Sequence, residues 1–124
     1  MASYRPVNEV LGLSEDVATL PIAEVAQRLK QPVSRVHQLV RDGQLLALRR
    51  DGEVVIPADF LAPDGTIVKG LPGTITVLRD GGYSDPDILR WLFAEDDSLP
   101  GTPVASLRAG RHREVKRRAQ AMAF

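Results

Sequence analysis

The sequence predicts a mostly α-helical protein with one small β-hairpin, and three features predict it. Apolar residues recur at helical spacing in two short segments parted by Pro32. Asp51-Gly52 sits between two runs rich in aliphatic residues. From Leu71 onward, helical patterns are separated by Gly81-Gly82 and by the polar stretch 95–101. The length of 124 residues suits one compact domain or two very small ones sharing a core.

Residues 1–18 carry Pro6, Gly12 and scattered charge without a period, and are expected to form a tail or a loosely docked arm. Residues 20–29 are expected to be a helix. Ile22, Val25, Ala26 and Leu29 fall at i, i+3, i+4 and i+7, and Pro21 suits a first turn, where its missing N–H costs nothing. Pro32 interrupts the pattern and disfavours helical geometry at Gln31. Ser34 then offers an N-cap for a second helix running to about residue 42. Val36, Leu39 and Val40 form its apolar face, and Gly43 suits the position after its end.

Residues 45–56 are expected to be a hairpin, because Asp51-Gly52 favours a two-residue type I′ turn. That turn places Arg50 opposite Glu53. Pro57 ends the second strand and can open a short helix. Pro63-Asp64-Gly65 signals a turn, and Ile67-Val68 suits a short strand of unassigned partner. A helix over about Gly73–Asp80 follows. The next begins after Ser84 or Asp85, with Ile88, Leu89, Trp91, Leu92 and Phe93 as a wide apolar face. A third starts near Thr102-Pro103, with Val104, Leu107, Val115, Ala119 and Met122 facing inward. Gly110 weakens it by about 1 kcal/mol relative to alanine and marks a place to break.

The order helix, tight turn, helix, hairpin is that of a winged helix-turn-helix. The expected organisation is an arm at 1–18, a winged helix-turn-helix at 19–64 and a helical domain of three helices at 65–124. No internal repeat or low-complexity segment is present.

The chain has no cysteine, which excludes a disulfide framework, a thiol nucleophile and any cysteine-based zinc site. No apolar run approaches the roughly 20 residues that span a bilayer, and MASYRPVNEV has no apolar stretch of signal-peptide type. A cytoplasmic protein without a membrane partner is expected. Net charge is zero, but its distribution is uneven: residues 1–20 carry −2, residues 21–50 +4, residues 51–103 −7 and residues 104–124 +5. Two basic segments flank an acidic one, and a clustered basic patch is what a polyanion feels.

The basic segment 21–50 coincides with the helix-turn-helix, which points to double-stranded DNA. A short helix with polar side chains away from its apolar stripe fits the major groove. Arg35, His37, Gln38 and Arg41 are the candidate base readers: arginine bonds guanine O6 and N7 together, and glutamine does the same to adenine N6 and N7. His37 by itself is more often a surface histidine. Ser34 and the N–H groups at the start of that helix suit a phosphate, as does Lys30 in the turn. Arg49 and Arg50 approach the wing tip, Arg50 being the one exposed to pairing with Glu53.

Catalytic signals are weak. His37 and His112 lie in no metal spacing. Gly70-Leu71-Pro72-Gly73 has the outline of a KH loop but the wrong surroundings. Glu95-Asp96-Asp97 reads as a solvated loop. No phosphate-binding glycine loop or nucleophile elbow is present. Neither an enzyme nor a cofactor is expected.

Residues 20–61 resemble the helix-turn-helix and wing of excisionase-like and MerR-like domains. LPGTITVLRDGGYSDPDILRWLF with the terminal REVKRRAQAMAF resembles an actinobacterial family of small winged-helix DNA-binding proteins with a C-terminal helical domain. That resemblance implies DNA binding, with Ser34–Arg41 as recognition helix and Leu45–Ile56 as wing. It also implies a C-terminal domain of three helices shaped like ubiquitin-associated domains. Relatives can carry a tail threonine open to Ser/Thr kinases, whereas residues 1–18 hold Ser3 and Ser14 and no threonine before Thr19.

The second basic segment has two readings. Arg108, Arg111, Arg113, Lys116, Arg117 and Arg118 either extend the DNA footprint or pair with Asp80, Asp85, Asp87 and Glu95–Asp97. Pairing is slightly favoured, because the acids share the same small domain. A competing function is a protein-interaction module working through the C-terminal helices, for which Trp91 and the acidic middle are the motive. Without coiled-coil heptads, a monomer is expected.

Overall fold

The computed structural model describes residues 13–123. Its elements in chain order are β1 (Thr19–Pro21), α1 (Ile22–Leu29), α2 (Val33–Arg41), β2 (Leu48–Arg50), β3 (Glu53–Pro57), a 3-10 turn (Ala58–Phe60), α3 (Leu71–Asp80), α4 (Asp85–Phe93), α5 (Pro103–Arg108) and α6 (His112–Ala123). The strands form one antiparallel sheet with β3 in the centre.

β1 corrects the helix expected from residue 20. Thr19, Leu20 and Pro21 pair with Pro57, Ile56 and Val55, and the helix begins only at Ile22. Pro21 stands just outside it in extended geometry, φ −62° and ψ 155°, rather than in its first turn. A strand of this length is too short to show alternation, and its partner lies far along the chain.

The hairpin forms in the expected register, with Arg50 opposite Glu53 and Leu48 opposite Val55. Its strands are shorter than the 45–56 reading, because Leu45, Leu46 and Ala47 are buried without pairing as strand. Asp51 and Gly52 have φ of 53° and 77°, the two positive values a type I′ turn requires. Leu61 and Ile67 bridge around Pro63-Asp64-Gly65, which supplies the partner that Ile67 lacked.

The expected arm is docked at its end. Arg50 donates to the Val17 carbonyl at 2.7 Å and to the Ser14 carbonyl at 3.2 Å, and the Ala58 N–H donates to the Ala18 carbonyl. Of the two forms expected for residues 1–18, the described part is a docked arm rather than a free tail. Its first part, with Ser3, lies outside the described residues.

The C-terminal segment holds four helices. The one expected from Thr102 is two, α5 and α6, parted at Gly110, where φ is 87°. α4 and α5 start on capping side chains: Ser84 Oγ accepts from the Asp87 N–H and Thr102 Oγ1 from the Ala105 N–H. α3 and α6 run side by side. A Cβ on Gly70 would lie 2.4 Å from His112 Cβ, and one on Gly81 would lie 2.3 Å from Ala123 Cβ. Glycine at both ends permits this approach. Val115 and Ala119 are buried, whereas Met122, expected on the inner face, is 40% exposed.

One continuous core runs from the sheet and α1–α2 into α3–α6. Phe60 is fully buried, and its ring lies 5.9 Å from that of Phe93. Arg108 of α5 donates to the carbonyls of Asp59 and Leu61, a further tie between the halves. Trp91 is half-buried with its Nε1–H unpartnered among the described residues.

Several acids of the middle segment are engaged. Arg79 forms a two-pronged bond with Asp85 at 3.0 Å, and Arg90 pairs with Asp87. Asp96 accepts from Ser98 and from Arg118. Ser98 first, then Arg118, holds the Asp96 carboxyl below the usual carboxylate range, and Ser84 and Arg90 do the same to Asp87. Lowered carboxylates stabilise the fold fully above the ordinary aspartate pKa, and that contribution is lost as pH falls through the lowered value. Among the described residues no cluster suits a metal ion and no helix is long and apolar enough to cross a membrane.

Candidate nucleic-acid interface

The turn between α1 and α2 is tight because α1 ends on a left-handed residue. Lys30 has φ 57° and ψ 44°. The Lys30 and Gln31 N–H groups donate back to the carbonyls of Gln27 and Ala26, closing the helix as glycine commonly does. A lysine there is strained, since its Cβ crowds the following carbonyl. Its side chain is exposed, with no ion pair or hydrogen bond among the described residues.

Pro32 then fixes where α2 starts. It stands at the cap position in extended geometry, φ −67° and ψ 157°, with no side-chain cap. Ser34, expected as N-cap, is instead the second residue of the helix and is exposed. The reason is that the proline already supplies the extended residue a cap requires. α2 ends as expected: Gly43 has φ 77°, and the Gly43 and Gln44 N–H groups reach the carbonyls of Val40 and Leu39.

Val36, Leu39 and Val40 are buried. At 100° per residue, Ser34, Gln38 and Arg41 fall on the opposite face at i, i+4 and i+7, and all three lie away from the core, Ser34 and Arg41 exposed and Gln38 at the surface. Arg35 and His37 flank this stripe; Arg35 is exposed and His37 half-buried. Among the described residues Arg35 and Arg41 have no ion pair. Arg28, by contrast, is taken by Glu24 at 2.7 Å. Val33, 45% exposed at the start of α2, adds an apolar contact surface. It went unread because the helix was taken to begin one residue later.

The wing separates its two arginines. Arg49 is exposed, and among the described residues its guanidinium makes only a long 3.4 Å contact to the Gly52 carbonyl. Arg50 has the expected register against Glu53, yet its guanidinium goes to the Ser14 and Val17 carbonyls instead. Those acceptors come from a distant segment and had no local signal.

Residues 6–61 match the family described as DNA-binding protein Rv2175c, wHTH domain. Residues 68–123 match the Rv2175c C-terminal domain of unknown function. The chain belongs to the Rv2175c family. A relative from Mycobacterium tuberculosis, named DNA-binding protein Rv2175c, is 48% identical over 124 residues, covering 90% of this chain and 85% of the relative. The NMR structure of Rv2175c superposes with a TM-score of 0.86 at 45% identity, covering 96% of this chain and 89% of that one. The winged helix-turn-helix followed by a helical domain is thus the architecture of the Rv2175c family. The resemblance to a small actinobacterial winged-helix family holds.

Proposed function

We propose that this chain binds double-stranded DNA as a monomer in the cytoplasm, in a regulatory or architectural role without catalysis. The unit at 19–64 reads the major groove with α2. The observation that carries this reading is the outward face of α2, where Ser34, Gln38 and Arg41 stand in line with Arg35 beside them and the two arginines unpaired among the described residues. Unpaired arginines on a rigid helix keep their donor forks available to guanine edges. The name of the M. tuberculosis relative supports it. Lys30 and Arg49 contact phosphates at either side of the helix, while Arg50 braces the wing from within.

Titration onto labelled duplexes of genomic and unrelated sequence, at several salt concentrations, tests it. The expected result is affinity that falls with salt by a log–log slope of about −0.9 per phosphate contact, with some fragments retained longer than others. Absence of binding at low salt would remove the reading.

Lys30 allows charge and backbone to be separated. Lys30→Gly is expected to keep or raise stability, by up to about 1 kcal/mol, because glycine relieves the left-handed strain. The same change lowers the magnitude of the salt slope by about 0.9 if Lys30 meets a phosphate. Thermal unfolding and the salt titration read the two effects independently. An unaltered slope assigns Lys30 to the turn alone.

A further inference from the structure

We infer that the exposed face of α6, together with Lys69, is a second contact surface for the phosphate backbone of duplex DNA, a role for the C-terminal domain. The inference rests on the DNA-binding reading above.

Arg113, Lys116, Arg117 and Gln120 fall at i, i+3, i+4 and i+7 on α6, on the side away from buried Val115 and Ala119, and all four are exposed. With Lys69 and His112 they line one shallow groove that no carboxylate enters. Gly70 makes the groove possible: its φ of 89° and missing Cβ let the Lys69–Gly70 segment lie against His112.

Three of the six acids that were candidates to neutralise this face are spent elsewhere, and Asp80, Glu95 and Asp97 form no ion pair among the described residues. Asp85 holds Arg79, Asp87 holds Arg90, and Asp96 holds Arg118 from α6's other side. Glu114 lines a neighbouring groove with Ser98 and Arg118, which Arg113 and Arg117 also border, and among the described residues it pairs with neither of them. Lys69, Arg113, Lys116 and Arg117 therefore have no ion pair among the described residues. For Arg113, Lys116 and Arg117 this overturns the intramolecular pairing that the sequence favoured, whereas Arg118 does pair with Asp96.

Clustered cations without counter-charge repel one another and are relieved by a polyanion. The groove holds no Phe, Tyr or Trp and no large apolar side chain, so it offers a protein partner no apolar anchor. What remains is charge, and a duplex presents one phosphate per about 1.7 Å of its axis. Arg113 and Arg117, one turn apart at about 6 Å, can each meet one. Such contacts strengthen binding to every sequence without altering which is preferred.

The test is the salt dependence of full-length protein binding to a labelled duplex of unrelated sequence. Arg113→Ala/Lys116→Ala/Arg117→Ala is expected to lower the magnitude of the log–log slope by about 2–3, with the thermal midpoint unchanged because all three side chains are exposed. Arg113→Lys/Arg117→Lys, which keeps the charge, is expected to retain the wild-type slope. A wild-type slope in the alanine variant overturns the inference and leaves the α2 reading standing. So does a charge-keeping variant that falls as far as the alanine one. A wild-type protein that binds no duplex removes both.

Discussion

Arg35→Ala and Arg41→Ala are each expected to weaken binding to the preferred duplex by about 1–3 kcal/mol, roughly 5- to 150-fold, the usual effect of removing a bidentate arginine from a base edge. Arg41 lies in the central stripe of α2 and Arg35 on its flank. Neither is held by a carboxylate among the described residues, so removing them breaks no internal pair and the thermal midpoint is expected to stay put. The diagnostic is the comparison between sequences. Removing a base reader shrinks the gap between preferred and unrelated duplexes, whereas removing a phosphate ligand lowers both affinities together. If both variants keep the wild-type preference, α2 is not the reading helix. If they lose affinity equally for all sequences, the two arginines bind phosphates and base readout falls to Gln38 and His37.

Phe60→Ala is expected to cost about 3–5 kcal/mol, the usual range for an aromatic side chain removed from a core. In a chain of this size that lowers the thermal midpoint by about 10–20 °C. Phe60 is fully buried in the turn that follows β3, and its ring meets Phe93 of α4. Its carbonyl also accepts from the Val68 N–H at 2.9 Å. It joins the winged part to the helical part. The loss is therefore expected in one cooperative transition, read by urea or thermal unfolding with two probes. A cost under about 1 kcal/mol would show that the cavity collapses readily and that other packing joins the halves. Two separated transitions in the wild-type protein would show that the continuous core does not couple them. Phe60→Leu, which leaves a smaller void, is expected to cost less.

The elements legible in the sequence are those whose cause is local. Asp51-Gly52 fixed the wing turn because two consecutive positive φ values demand such residues. Ser84 and Thr102 fixed two helix starts, since a cap and its helix lie within about four residues. The stripe Val36, Leu39 and Val40 fixed which side of α2 faces outward, and with it the candidate readers. Gly110, with its positive φ, marked the break between α5 and α6. The distribution of charge along the chain placed two basic segments around an acidic one.

Only the tertiary structure decided what depends on distant partners. β1 exists because Leu20 meets Ile56, and a strand so short carries no period of its own. Arg50 serves the fold because the Ser14 and Val17 carbonyls, distant in the chain, come within reach. Asp85 and Asp87 were assigned to nearby arginines and Asp96 to Arg118, while one face of α6 was left without an ion pair among the described residues. A sequence reports how many charges of each sign a segment carries. Which of them meet is set by packing, because an ion pair forms only within a few ångströms, and that distance exists only once the chain has folded.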